Sequence, residues 1–187
     1  MKDRLELRMY FFVPYNISPI QQAIQAGHAA LEYARKYGQT DLFIDFIDDW
    51  KTWIILNGGT TNESISPVFR GSLNTISDEL RMNEIQHAYF NEPDLNNALT
   101  AVCFIVDERV FNKEDYPDFV DYLDQLVNPG NDPMYSIKLK IKTNDELNSM
   151  VLLDGSSVDK IHNDWLELIG GKKNEFLREL LNGKKLA

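Results

Sequence analysis

Leu5-Glu6-Leu7-Arg8-Met9-Tyr10-Phe11-Phe12-Val13, followed after a short link by Ile17-Ser18-Pro19-Ile20-Gln21-Gln22-Ala23-Ile24-Gln25-Ala26-Gly27-His28-Ala29-Ala30, decides the fold class. The first part is rich in aromatic and branched residues and reads as a strand. The second opens with a capping residue, Ser18, and a proline at the first helical position, Pro19. Its spacing predicts a helix to about Tyr37, ended by Gly38. A strand feeding directly into a helix start is the arrangement in which sheet proteins bind anions and carry out chemistry.

The rest of the chain extends this pattern. Asp41 to Asp49 reads as a short acidic-apolar helix, and Trp50 to Leu56 as a second strand stopped by Asn57-Gly58-Gly59. Thr60 to Gly71 is a polar loop. Ser72 or Asn74 opens a second long helix ending near Asn83. Ile85 to Asn91 and Leu99 to Val106 are two more strands, joined by the turn Glu92-Pro93-Asp94-Leu95-Asn96-Asn97. Beyond Asp107 the pattern turns helical: Asp115 to Val127, Ser157 to Ile169 and Asn174 to Leu181. Between these lie the breaker Asn128-Pro129-Gly130-Asn131-Asp132-Pro133 and a lysine-protected edge-strand candidate, Tyr135 to Lys142. The expectation is an α/β protein. A mixed four-stranded sheet carries helices on both faces over residues 1–110, and a mainly helical extension, 111–187, packs on the same domain.

Composition limits the function. The 187 residues carry a net charge of −10, which disfavours gripping a nucleic-acid backbone, since that requires a basic surface. The last stretch, Gly171 to Ala187, holds five Lys/Arg against two Glu, a modest local exception that also fits a solvated helix face. No apolar run approaches the roughly 20 residues of a membrane span, and the charged start lacks an apolar signal region, so a cytoplasmic setting is expected. The single cysteine, Cys103, lies in an apolar strand and reads as a small core residue. No Cys/His cluster suggests a metal and no cofactor motif is present.

On a helical wheel Ile20, Ile24, Gly27, Leu31 and Ala34 share one stripe, which is expected to face the sheet. Gln21, Gln25, His28 and Glu32 form a polar stripe beside it, at the margin of a cleft. His28 can hold a phosphate, ribose or carboxylate, serve as acid or base, or simply be satisfied by backbone. Ser18 and Gln21 form a capping box, near which free N–H groups can receive an anion. Glu92 and Asp94 bracket a proline and can orient an amine, a ribose hydroxyl or a histidine. Thr100 adds a hydroxyl. Trp50 and Trp53 fall on opposite faces of their strand, one in the core and one lining a cleft or a dimer surface.

These residues resemble the type 2 peptidyl-tRNA hydrolase family. Gln25-Ala26-Gly27-His28-Ala29-Ala30 looks like that family's Gln-x-x-His-Ala-Ala segment. Trp50-Lys51-Thr52-Trp53-Ile54-Ile55-Leu56 looks like its second strand. The strands between Ile85 and Val106 look like its last strand pair, with Leu99-Thr100-Ala101-Val102 at its Thr-Val start. The resemblance covers about residues 5 to 110 and extends to diverged members carried by tailed phages. It implies a four-stranded mixed sheet, a homodimer, and hydrolysis of the ester joining peptide to tRNA.

The chain departs from the family at the chemistry. Gln21 stands where the family keeps its catalytic lysine, and Pro19 replaces a second lysine. The Asp-Ala-Gly-x-Thr turn is absent, leaving Glu92 or Asp94 in the aspartate's place. Lost lysines and acidic charge together point away from whole tRNA. The expectation is a repurposed fold that binds, with or without cleaving, a small nucleotide through Ser18, Gln21, Gln25, His28 and Thr100. His28, Glu92 and Asp94 are the catalytic candidates if it is a hydrolase. In a phage such a protein would sequester or destroy a nucleotide immune signal in the host cytoplasm. The alternatives are an active peptidyl-tRNA hydrolase with rearranged groups, and a protein-interaction module or inhibitor whose acidic face meets a basic partner.

Overall fold

The computed structural model describes residues 4–60, 71–127 and 155–187. The breaker at 128–133, the edge-strand candidate at 135–142 and most of the loop at 60–71 lie outside the described residues. The chain forms two compact units: Met1–Phe111 together with Lys173–Ala187, and Asn112–Lys172.

In the first unit β1 (Leu7–Val13), α1 (Pro19–Tyr37), α2 (Asp41–Asp45) and a π-helical turn (Phe46–Trp50) lead into β2 (Thr52–Asn57). Then come α3 (Ser72–Met82), β3 (His87–Glu92), a 3-10 turn (Pro93–Leu95), β4 (Ala98–Asp107) and α4 (Glu108–Phe111). The sheet order is β2-β1-β4-β3. β1 runs parallel to β2, with Met9 opposite Trp53, and antiparallel to β4, with Phe11 opposite Cys103. β4 is buried along almost its whole length, as a central strand covered on both faces must be.

Each face of the sheet has its own core. Tyr10, Phe12, Val102, Phe104 and Val106 pack with Leu73, Ile76 and Leu80 of α3 and with Leu177 and Leu180 of α7 (Lys172–Leu181). Met9, Phe11, Val13, Ala101, Cys103 and Ile105 pack with Ala26, Ala29 and Tyr33 of α1 and with Phe46. The chain end then returns to the sheet. Leu186 forms an antiparallel bridge with Leu56, the Asn57 amide donates to the Lys185 carbonyl at 2.9 Å, and the Ala187 amide donates to the Ile55 carbonyl at 3.1 Å. The exposed edge of β2 is thereby covered.

In the second unit α5 (Phe119–Val127) and α6 (Gly155–Ile169) pack together. Phe119, His162 and Trp165 form an aromatic cluster, and the Trp165 indole donates to the Pro117 carbonyl at 3.0 Å. The helices read from the sequence are present, with α5 starting at Phe119 rather than Asp115 and α4 added.

The structure reverses the expected orientation of α1. Ile20, Ile24 and Leu31 are 74%, 49% and 69% exposed, while Gln22, Gln25, Ala26, Ala29 and Tyr33 are buried. The cause is the surface beneath. Ala26 and Ala29 meet Ala88, Ala101 and Cys103, and small residues on both sides let helix and sheet approach closely. The Cys103 thiol donates to the Ala29 carbonyl at 3.3 Å, and burial pushes its pKa up to about 12. The buried glutamines are compensated: Gln22 donates to the Pro14 carbonyl at 3.1 Å, and Gln25 is held as described below. The tryptophans are corrected too. Trp50 ends the π-helical turn rather than joining β2, and it packs on the α1-side core. Trp53 lies on that same face against Phe11, with ring centroids 4.6 Å apart.

Candidate functional site

α1 crosses β3 and β4 where their connecting turn closes. In that turn Asn96 and Asn97 both adopt left-handed backbone, at φ 52° and 56°, which asparagine tolerates better than most residues. The reversal starts β4 at Ala98 and sets Thr100 beneath α1. Thr100 is 1% exposed. Its hydroxyl donates to Gln25 Oε1 at 2.5 Å, with the Phe90 carbonyl 3.3 Å away. Gln25 Nε2 in turn donates to Glu92 Oε2 at 2.6 Å. A buried threonine therefore fixes which way the glutamine amide points, and the glutamine holds a half-buried carboxylate. Among the described residues no Lys or Arg side chain pairs with Glu92. The outcome is an anchored anionic acceptor at the end of an edge strand.

Ser18 and Gln21 form a separate pair at the start of α1. The Gln21 amide donates to Ser18 Oγ at 3.3 Å, and Gln21 Oε1 accepts from the Ser18 amide at 3.0 Å. The box thus occupies the N–H groups of Ser18 and Gln21, and Pro19 has none, so the helix start offers an anion less than the sequence suggests. His28 joins neither group. Its ring lies 4.4 Å from the Phe90 ring, and its Nδ1 is buried without a hydrogen-bond partner. No hydrogen bond links it to Glu92 or Asp94. Asp94 is exposed on the 3-10 turn.

Two features escape the sequence reading. One is an apolar groove of about 650 Å³ beside α1, lined by Met9, Ile24, Leu31, Phe43, Ile47 and Trp53. Its signal in the sequence is the apolar stripe of α1, which supplies Ile24 and Leu31 to the groove. The other is a small polar cavity on the opposite side of the sheet, lined by Ser77, Asp78 and Arg81 of α3 and by Tyr89 and Asn91 of β3. Among the described residues no three His, Cys, Asp or Glu side chains are grouped as a metal ion would require. Among them no helix is long and apolar enough to cross a membrane.

No family model matches this chain, and no curated protein matches it.

Proposed function

We propose that the protein binds a small nucleotide at the Thr100–Gln25–Glu92 relay, by the hydroxyls of its ribose. The observation that carries this reading is the unneutralised, amide-anchored carboxylate of Glu92. A carboxylate accepts hydrogen bonds only, so it selects a ligand that presents donors, and vicinal ribose hydroxyls are such a pair. The absence of lysine from the helix start and the net charge of −10 argue against a polyanion as large as tRNA. The resemblance to type 2 peptidyl-tRNA hydrolases adds the idea of a hydrolase scaffold put to another use, and in a phage that use is capture of a nucleotide immune signal.

Titration calorimetry with ribonucleotides and their 2′- and 3′-deoxy forms tests this. The ribose forms are expected to bind about tenfold more tightly, as the loss of one hydrogen bond to a charged group predicts. Glu92→Gln removes that preference. Equal binding of ribose and deoxyribose forms, or no nucleotide binding at millimolar concentration, refutes it.

The reading includes a homodimer. Its support is the outward apolar stripe of α1, whose Ile24 and Leu31 form one wall of the apolar groove, so that a second copy can cover this face across a two-fold axis.

A further inference from the structure

The apolar groove of about 650 Å³ beside α1 lies over β1 and β2, whereas the Thr100–Gln25–Glu92 relay lies over β4 and β3. Its volume falls in the range of small-molecule sites, about 300–1,000 Å³. The buried pair Met9 and Phe46 forms its floor. On the α1 side Gly27, Ala30 and Ala34 recur at helical spacing, and small residues there keep the groove open. A Cβ added at Gly27 would meet nothing within 4 Å. Across from them Ile47 and Trp53 are left 38% and 44% exposed. Of the lining residues only His28 and Lys51 can carry charge; both are basic and none is acidic. Lys51 Nζ donates to the Asp48 carbonyl at 3.1 Å, and among the described residues no carboxylate pairs with it. An ammonium carries more donors than that one bond uses.

We propose that this groove binds an acyl chain that ends in a carboxylate, with the chain on the apolar floor and the head group at Lys51. The walls decide the body of the ligand. A sugar or a base would bury polar atoms there without partners, which is costly. A hydrocarbon chain has none to strand, and it covers exposed apolar surface as it takes leave of water. Lys51 decides the head group. It is exposed, so its apolar stem can lie along the groove while its ammonium stays in water and meets an anion at the rim. The net charge of −10 repels anions elsewhere on the surface, which leaves an acid-free groove edged by a cation as a favoured place for one. The site stands on the groove alone and shares no residue with the nucleotide relay.

The test is calorimetry of the full chain with hexanoate, octanoate, decanoate and 1-octanol, repeated with Gly27→Leu and Lys51→Gln. Each two-carbon step in the acid is expected to tighten binding by about tenfold, the worth of two buried methylenes. Octanoate is expected to bind about threefold more tightly than octanol, as an exposed charge pair predicts. Lys51→Gln removes that difference and keeps the chain-length steps. Gly27→Leu fills the groove and abolishes binding of all four, while circular dichroism shows its fold intact. No binding of decanoate at millimolar concentration, affinities that ignore chain length, or undiminished binding by folded Gly27→Leu overturns the site. Equal affinities for octanoate and octanol overturn the carboxylate head group. A second copy would cover the same face, so saturating decanoate is expected to convert dimer to monomer in sedimentation, an effect that rests on the dimer reading. A dimer that persists with decanoate bound overturns this competition. A parent chain that is monomeric without ligand overturns the dimer reading and leaves the acyl site standing.

Discussion

Thr100→Val tests whether the relay is a single device. Valine closely matches threonine in shape, so the substitution removes a hydroxyl and little else. In the structure that hydroxyl is the donor to Gln25 Oε1 at 2.5 Å, and both residues are buried. Its loss strands an acceptor, which costs about 1–3 kcal/mol. The extra methyl offsets part of this, leaving about 1.5 kcal/mol. For a chain of this size that lowers the melting temperature by roughly 3–6 °C. The sharper readout is coupling. Thr100 and Glu92 share no hydrogen bond; each bonds Gln25. If Gln25 transmits order between them, a Thr100→Val and Glu92→Ala cycle in urea unfolding gives an interaction energy above about 0.5 kcal/mol. Thr100→Val also weakens ribonucleotide binding although it touches no ligand. Additivity of the two substitutions within about 0.3 kcal/mol, with unchanged binding, would refute the relay.

Further outcomes follow from other parts of the molecule. On α1, Leu31→Asp is expected to change monomer stability by less than about 0.5 kcal/mol, while Ala29→Leu overpacks the sheet face and costs about 1–3 kcal/mol; the reverse order in urea unfolding would restore the inward apolar stripe. Sedimentation should show a dimer for the parent chain and a monomer for Leu31→Asp. The two outer glycines contrast. An added Cβ at Gly27 meets nothing within 4 Å, so Gly27→Ala stabilises α1 by about 0.5–1 kcal/mol. At Gly59, with φ +81° and Ser72 Oγ in the path of the added carbon, alanine destabilises in thermal melts.

His87 supplies a pH signature. Burial holds its pKa below the usual value; the nearby charges of Lys36 and Arg81 act in the same direction, and its bond to the Ile85 carbonyl opposes them. The unfolded chain therefore takes up the proton first. Stability is full above the ordinary histidine value of about 6.5 and falls as pH drops through it, until the folded-state pKa is reached. Melting temperatures between pH 5 and 7.5 should show this fall, and His87→Phe should reduce it. Finally, with Gln21 tied into its capping box, peptidyl-tRNA is expected to survive incubation with the protein, and cleavage abolished by Glu92→Ala would revive the hydrolase alternative.

Much of the fold is legible in the chain because local chemistry punctuates it. Ser18-Pro19 starts α1, Asn57-Gly58-Gly59 stops β2, and the turn from Glu92 to Asn97 separates two apolar runs. Each signal acts over a few residues, so no distant partner is needed to read it. The continuous apolar run of β4 likewise announces a central strand. The pairing of Gln25 with Glu92 and Thr100 is different. Those residues lie 67 and 75 positions apart in the chain, and only the sheet order brings them together. Read singly, each has a bland role, as a helix, turn or strand residue.

The inward face of α1 shows where the division falls. By itself the sequence determined that residues 19–37 form a helix with one strongly apolar stripe, since capping and periodicity are properties of the segment. Tertiary structure alone decided which side turned in. Side-chain hydropathy favours burying Ile20, Ile24 and Leu31. The packing energy instead depends on the small residues of β3 and β4, and on hydrogen-bond partners for Gln22 and Gln25 that other elements supply. A buried glutamine is costly without such partners and tolerable with them, and no window along the chain contains that information.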